Sequence, residues 1–175
     1  MTAPSRPEAL DPGRVLYDTL VGFLRDDGWP VSVEDDAERA VAVTVEGGSG
    51  RWVCVAQFAE DRPVLLFSSV IPAFVPAALR APVGEYLNRA NQGMLSGGFQ
   101  FDLDEGEVRF VTALDLGDVD PAPLAESGAL RGLIRQLVYV NVATVDRYLS
   151  GLMAVIHAGA DPAAAVAAAE ADQGT

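Results

Sequence analysis

Lysine is missing from the 175 residues, and all 12 basic side chains are arginine. Without an ε-amine there is no Schiff-base nucleophile, no phosphate-loop lysine and no kinase-type strand lysine, because each of those chemistries uses the amine itself. Cysteine is nearly missing too. Cys54 stands alone, so it can form neither an intramolecular disulfide nor a multi-cysteine metal site, and a reducing, cytoplasmic setting is expected. His157 is the only histidine, which rules out a two-histidine metal arrangement. Positive charge is scarce: 25 acids against 12 bases give a net charge of -13 and a pI near 4.3. Such a chain repels phosphate backbones and anionic lipid heads, so neither nucleic acid nor a membrane surface is expected as a partner. No run approaches the roughly 20 apolar residues that cross a bilayer. Residues 1–14 also lack the apolar stretch of a signal peptide.

Half of the residues are hydrophobic, enough to bury a core, and the length suits one domain. Residues 1–13, with Pro4, Pro7, Pro12 and Gly13, read as a flexible leader, residues 14–158 as the folded domain and residues 159–175 as an alanine-rich helix or tail. Val15, Leu16, Leu20, Phe23 and Leu24 recur at helical spacing, so the first helix is predicted over 14–27 with Gly28 as its stop. The period then changes to two. Strands are predicted over 40–46 and 51–59, joined at Gly47-Gly48-Ser49-Gly50, with a third over 64–71 that Pro72 ends. A helix over about 82–95 follows, with a start at Pro76 as the alternative. Phe99, Phe101 and Leu103 then alternate with polar residues, and an acidic glycine turn leads into 108–116. Residues 117–128 read as loop, and 129–158 as the longest helix. The absence of βαβ alternation predicts an α+β fold: an antiparallel sheet of about five strands packed with helices in the order α-β-β-β-α-β-β-α. The long helix is apolar over more than half its circumference, so it is either the central element of the monomer or shared with a second copy.

Few residues suggest chemistry. His157 falls in the last turn of the long helix, where an imidazole is electrostatically comfortable. Cys54 lies between Val53 and Val55 as a small hydrophobe. Asp102, Asp104, Glu105 and Glu107 resemble a calcium loop only loosely: the glycine is one place early and Ala113 stands where a bidentate Glu belongs. Asp115, Asp118 and Asp120 read as a solvated loop. No cofactor or metal site emerges, and no nucleophile has a base beside it. Three polar residues stand out as binding or structural positions: Asn88 and Asn91, three apart on the second helix, and Asn141, inside the apolar arc of the long one. A buried amide needs partners, which are either the chain's own backbone or that of a bound peptide.

Several stretches together resemble the YbjN family: FLRDDGWPV, WVCVAQF, LLFSSVIP, EYLNRANQGMLSGGFQFDLDEGEVRF and VYVNVATVDRYLSGLMAVIHAGADPAAAV, covering about residues 15 to 167. The resemblance implies a fold similar to the type III secretion chaperones, in a small acidic protein that can form a homodimer, without enzymatic activity and with a sensory or stress-regulatory role. The leading expectation is a non-enzymatic protein-binding module with a protein partner or client, using an exposed apolar groove or sheet edge. The alternatives are a dimeric secretion-type chaperone holding an extended client segment, and a small-molecule sensor with a pocket near Asn88, Asn91 and Asn141.

Overall fold

The computed structural model describes residues 11–59 and 62–171. Most of the expected leader, together with Glu60, Asp61 and residues 172–175, lies outside the described residues.

The first helix, α1 (Pro12–Asp26), begins two residues ahead of the expected Arg14. Asp11 is the reason. Its carboxylate accepts the backbone N–H of Gly13 at 3.0 Å and of Arg14 at 3.3 Å, and Pro12 occupies the first turn, where its missing N–H has no partner to lose. The helix buries Leu16, Tyr17, Leu20, Phe23 and Leu24 and ends toward Gly28 in a left-handed turn. Then come β1 (Val31–Asp35), β2 (Ala40–Gly47), β3 (Gly50–Phe58) and β4 (Val64–Phe74). A 3₁₀ turn at Ala77–Leu79 leads into α2 (Arg80–Asn91). This helix starts between the two expected prolines, with Pro82 in its first turn, and stops short of Leu95. β5 (Gly98–Phe101) and β6 (Glu107–Asp115) form a further hairpin, α3 (Pro121–Glu126) occupies part of the expected loop, and α4 (Ala129–Ala158) and α5 (Pro162–Ala171) are the last described elements.

The sheet is antiparallel throughout, in the order β1-β2-β3-β4-β6-β5, so the fold is α+β with six strands where about five were expected. The extra one is β1. β4 also runs past Pro72, because its register against β6 shifts between Val70 and Phe74, and proline is tolerated at such a bulge.

All the helices pack on one side of this sheet. Alternate residues of the strands point toward them: Val41, Val43 and Val45 on β2, Trp52 and Cys54 on β3, Leu65 and Phe67 on β4, and Val108 and Phe110 on β6, all buried. α4 runs through the middle of that layer, against the sheet and against α1, α2, α3 and α5, and buries Ile134, Leu137, Val138, Val145, Leu149 and Leu152. Most of its apolar arc is thus consumed within the monomer, while Leu133 and Tyr139 stay 45% and 42% exposed. At about 1.5 Å per residue its 30 residues extend about 45 Å, long enough to touch every other helix.

Candidate functional site

Asn141 lies in the middle of α4, fully buried, facing the sheet. Its Oδ1 accepts a hydrogen bond from the Ser69 hydroxyl at 2.6 Å. Its Nδ2 donates to the carbonyls of Phe67 at 2.8 Å and Phe110 at 3.1 Å, with the Thr112 hydroxyl at 3.2 Å. Since the single Ser69 proton is committed to Asn141, both Ser69 lone pairs are free to accept: Trp52 Nε1–H donates at 3.0 Å and the Cys54 thiol lies at 3.1 Å. One helix is thereby stitched to β3, β4 and β6 by a satisfied polar cluster inside an apolar layer. Burial pushes the Cys54 thiol up to about 11, the Ser69 and Trp52 contacts opposing it only in part. A thiol reagent at pH 8 should therefore leave the native protein unlabelled and modify one cysteine in denaturant; rapid labelling of the folded chain contradicts this burial.

The Asn91 side chain also meets backbone, and the backbone is the chain's own. Its Oδ1 accepts the Phe99 N–H at 2.7 Å and its Nδ2 donates to the Phe99 carbonyl at 3.0 Å. That is the pair of bonds a neighbouring strand would make, and it covers the outer edge of β5. Asn88, one turn earlier, is exposed. The three asparagines are therefore not brought to one place. Asp146 of α4 reaches the turn between β2 and β3 instead, accepting the Ser49 N–H at 2.7 Å; a Cβ on Gly47 would stand 2.3 Å from that carboxylate. Glycine is what lets the helix and the turn approach. His157 is exposed at the end of α4. The Asp102 carboxylate accepts the N–H groups of Asp104 and Glu105 within its own turn, both at 2.8 Å. Among the described residues no group of three or more metal-ligating side chains occurs.

The other side of the sheet is left uncovered by the described helices. Cross-strand pairing aligns Val33, Ala42, Val55, Ser68, Val111 and Gly98 into a row crossing all six strands without a charge. Beside it run Thr44, Val53 and Val70 on one flank and Ala40, Gln57, Leu66 and Ala113 on the other. Phe74 stands at one corner, 68% exposed, while Val33 is 51% and Val53 41% exposed. No described helix covers this face. Charged groups share this side: Arg109 stands beside Val70 and pairs with Glu107, Glu46 pairs with Arg51 at 3.6 Å, and Asp35 and Asp115 also point outward. Open concavities flank it, one of about 680 Å³ beside Arg39, Ala40, Val55 and Gln57 and one of about 370 Å³ beside Gln100, Glu107 and Arg109. The sequence contained a signal for this face: Trp52–Ala56 and Val64–Ile71 are apolar at almost every position, which marks strands with two apolar sides.

Fold and surfaces together define an α+β domain with helices on one side of an antiparallel sheet and a bare apolar side opposite. The chain belongs to the YbjN family: the family model, described as "Putative bacterial sensory transduction regulator", matches residues 16–150. No curated protein matches it. Among solved structures it is similar to the crystal structure of YbjN from E. coli, at 17% identity over 73% of this chain and 89% of that one, with a TM-score of 0.42. It is also similar to a chain of the HopA1-SchA chaperone–effector complex, at 18% identity over 73% of this chain and 97% of that one, with a TM-score of 0.35.

Proposed function

We propose that this protein is a non-catalytic protein-binding module of a regulatory or stress-response kind, acting in the cytoplasm and docking its partner on the open face of the sheet. The observation that carries this reading is the uncharged row from Val33 to Gly98, on a side of the sheet that no described helix covers, in a chain of net charge -13. The family description supports the regulatory part. The one histidine is exposed at the end of α4 and the one thiol is buried in the core, and neither is given a catalytic role in this reading. No helix of the described chain is long and apolar enough to cross a membrane. A small-molecule pocket at the three asparagines gains no support, since Asn91 and Asn141 hold backbone and Asn88 is exposed. Their role is structural in this reading. A client-holding function of the secretion-chaperone kind would use the same face and differ in having one dominant client.

Tagged wild-type chain and a Val53→Glu variant, each used to capture proteins from an extract of the native host, test the reading. Proteins retained by the wild type should be lost or depleted at least tenfold with the variant, because a carboxylate at the centre of an apolar contact stays unpaired. An identical set on both baits overturns the assignment to this face.

A further inference from the structure

We propose that α5 is a displaceable place-holder: it lies in the seam between α2 and α4 and gives way there to an amphipathic helix of a partner protein that carries leucine-sized residues where α5 has alanine. This site goes beyond the open sheet face and is separate from it, on the helical side of the domain.

The seam accepts a helix, but α5 fills it poorly. Arg147 Nε–H donates to the Ala169 carbonyl at 3.2 Å, and a Cβ on Gly151 would stand 3.2 Å from the Ala165 carbonyl oxygen, so α5 runs antiparallel to α4 and close to it. The floor of the seam is aromatic. Tyr86 and Tyr148 are buried there, the Tyr86 hydroxyl donating to the Tyr148 carbonyl at 2.7 Å and the Tyr148 hydroxyl to Glu170 at 3.1 Å. Onto this floor α5 sets a single buried residue, Val166, and otherwise mostly alanine. Open concavities remain on both flanks. One of about 820 Å³ faces α4 and is lined from α5 by Ala165, Ala168 and Ala169; another of about 330 Å³ faces α2 and is lined by Ala163 and Ala167.

The same positions define the helix that would fit better. Ala165 and Ala169 are one turn apart, as are Ala163 and Ala167, so larger apolar side chains at those places would enter both concavities and remove more apolar surface from water. The outward side must be polar, since Ala164 and Ala171 face solvent, and a carboxylate in the place of Glu170 keeps the bond to Tyr148.

α5 is also built to leave. Its 10 residues are fewer than the roughly 12–15 that a free helix needs to persist in water, so its helicity depends on the seat. One buried side chain holds that seat, which makes local opening far cheaper than unfolding of the domain. The joint swings at Gly159, φ +64°, where nothing lies within 4 Å of an added Cβ. When α5 lifts, the bonds of Asn141 to Ser69, Phe67 and Phe110 still hold α4 to the sheet.

Hydrogen exchange of the full chain, read by mass spectrometry, is the first test. The amides of α5 should exchange at least about a hundredfold faster than those in the middle of α4, and equal protection overturns the proposal. The second test titrates the full chain against a fluorescent peptide with the sequence of residues 159–171 carrying Ala165→Leu and Ala169→Leu, followed by anisotropy. Apparent affinity scales with the fraction of chains whose seam is open, so Val166→Asp should tighten binding of this peptide at least about tenfold, and Val166→Ala should tighten it less. Ala165→Leu with Ala169→Leu in the chain itself fills the seam from within and should weaken binding at least about tenfold. A peptide without the leucines should bind at least about tenfold more weakly, having less apolar surface to bury. Val53→Glu, on the open sheet face, should change nothing. Binding that is alike in all chains, indifferent to the leucines of the peptide, or lost with Val53→Glu overturns the place-holder and leaves the open face as the docking surface.

Discussion

Replacing Asn141 with alanine should lower stability by about 4 kcal/mol, since a buried polar group stripped of its partner costs about 1–3 kcal/mol and more than one is stripped here. Ser69 loses the acceptor for its only proton, Thr112 loses a donor, and the space of the carboxamide becomes a cavity beside Phe67 and Phe110. For a chain of this length the melting temperature should fall by roughly 8–16 °C. Asn141→Leu separates the contributions, because it fills the space and still takes away the acceptor of the Ser69 proton, so it should recover only part of the loss. Ser69→Ala, combined with Asn141→Leu, should cost less than the sum of the single changes by at least about 0.5 kcal/mol, the signature of groups that share hydrogen bonds. Urea titrations of the four variants measure all of this. A loss below about 1 kcal/mol for Asn141→Ala would falsify the view that the cluster holds α4 to the sheet.

Gly106→Ala should cost about 3 kcal/mol, from positive-φ strain of about 1–2 kcal/mol plus displaced backbone. Gly106 sits at φ +83°, and a Cβ there would stand 2.3 Å from the Val75 carbonyl oxygen and 3.1 Å from its nitrogen. Neither atom can swing aside, because the Val75 N–H donates to the Gly106 carbonyl at 2.8 Å and the Val75 side chain is buried. Gly117→Ala is the matched control: φ is +57° with nothing within 4 Å of the added carbon, so only the conformational cost of about 1–2 kcal/mol remains. Equal losses at the two positions, by denaturant titration, would show that the contact with Val75 is unimportant.

The parts of the fold that were legible in the sequence are those where burial writes a period. Val41, Val43 and Val45 alternate because one side of β2 faces the helices, and the apolar stripe of α1 recurs at helical spacing for the same reason. β1 left no such mark. Apart from half-buried Val31 its residues are exposed, and it exists because β2 offers it a ladder, information carried by a different segment. Pro72 was a sound stop signal that a bulge overrode. Asn141 was visible as a polar residue in an apolar arc, but its partner Ser69 lies 72 positions away and nothing local announces it. The open face was half legible: apolar strands on both sides were present in the sequence, yet which side the helices would leave bare depended on their all packing together.

The Asn91 clasp on Phe99 bears on how this protein avoids fibres. A sheet grows into a linear polymer only if strands can be added at both of its edges, since every unit must offer a head and accept a tail. Here one edge is capped at Phe99 by the chain's own side chain. The other, β1, is five residues long and ends in Glu34 and Asp35. Whatever strand β1 recruits, the assembly stops there, for the opposite margin offers no continuation, and the protein can carry an apolar sheet face without becoming a seed for its own aggregation.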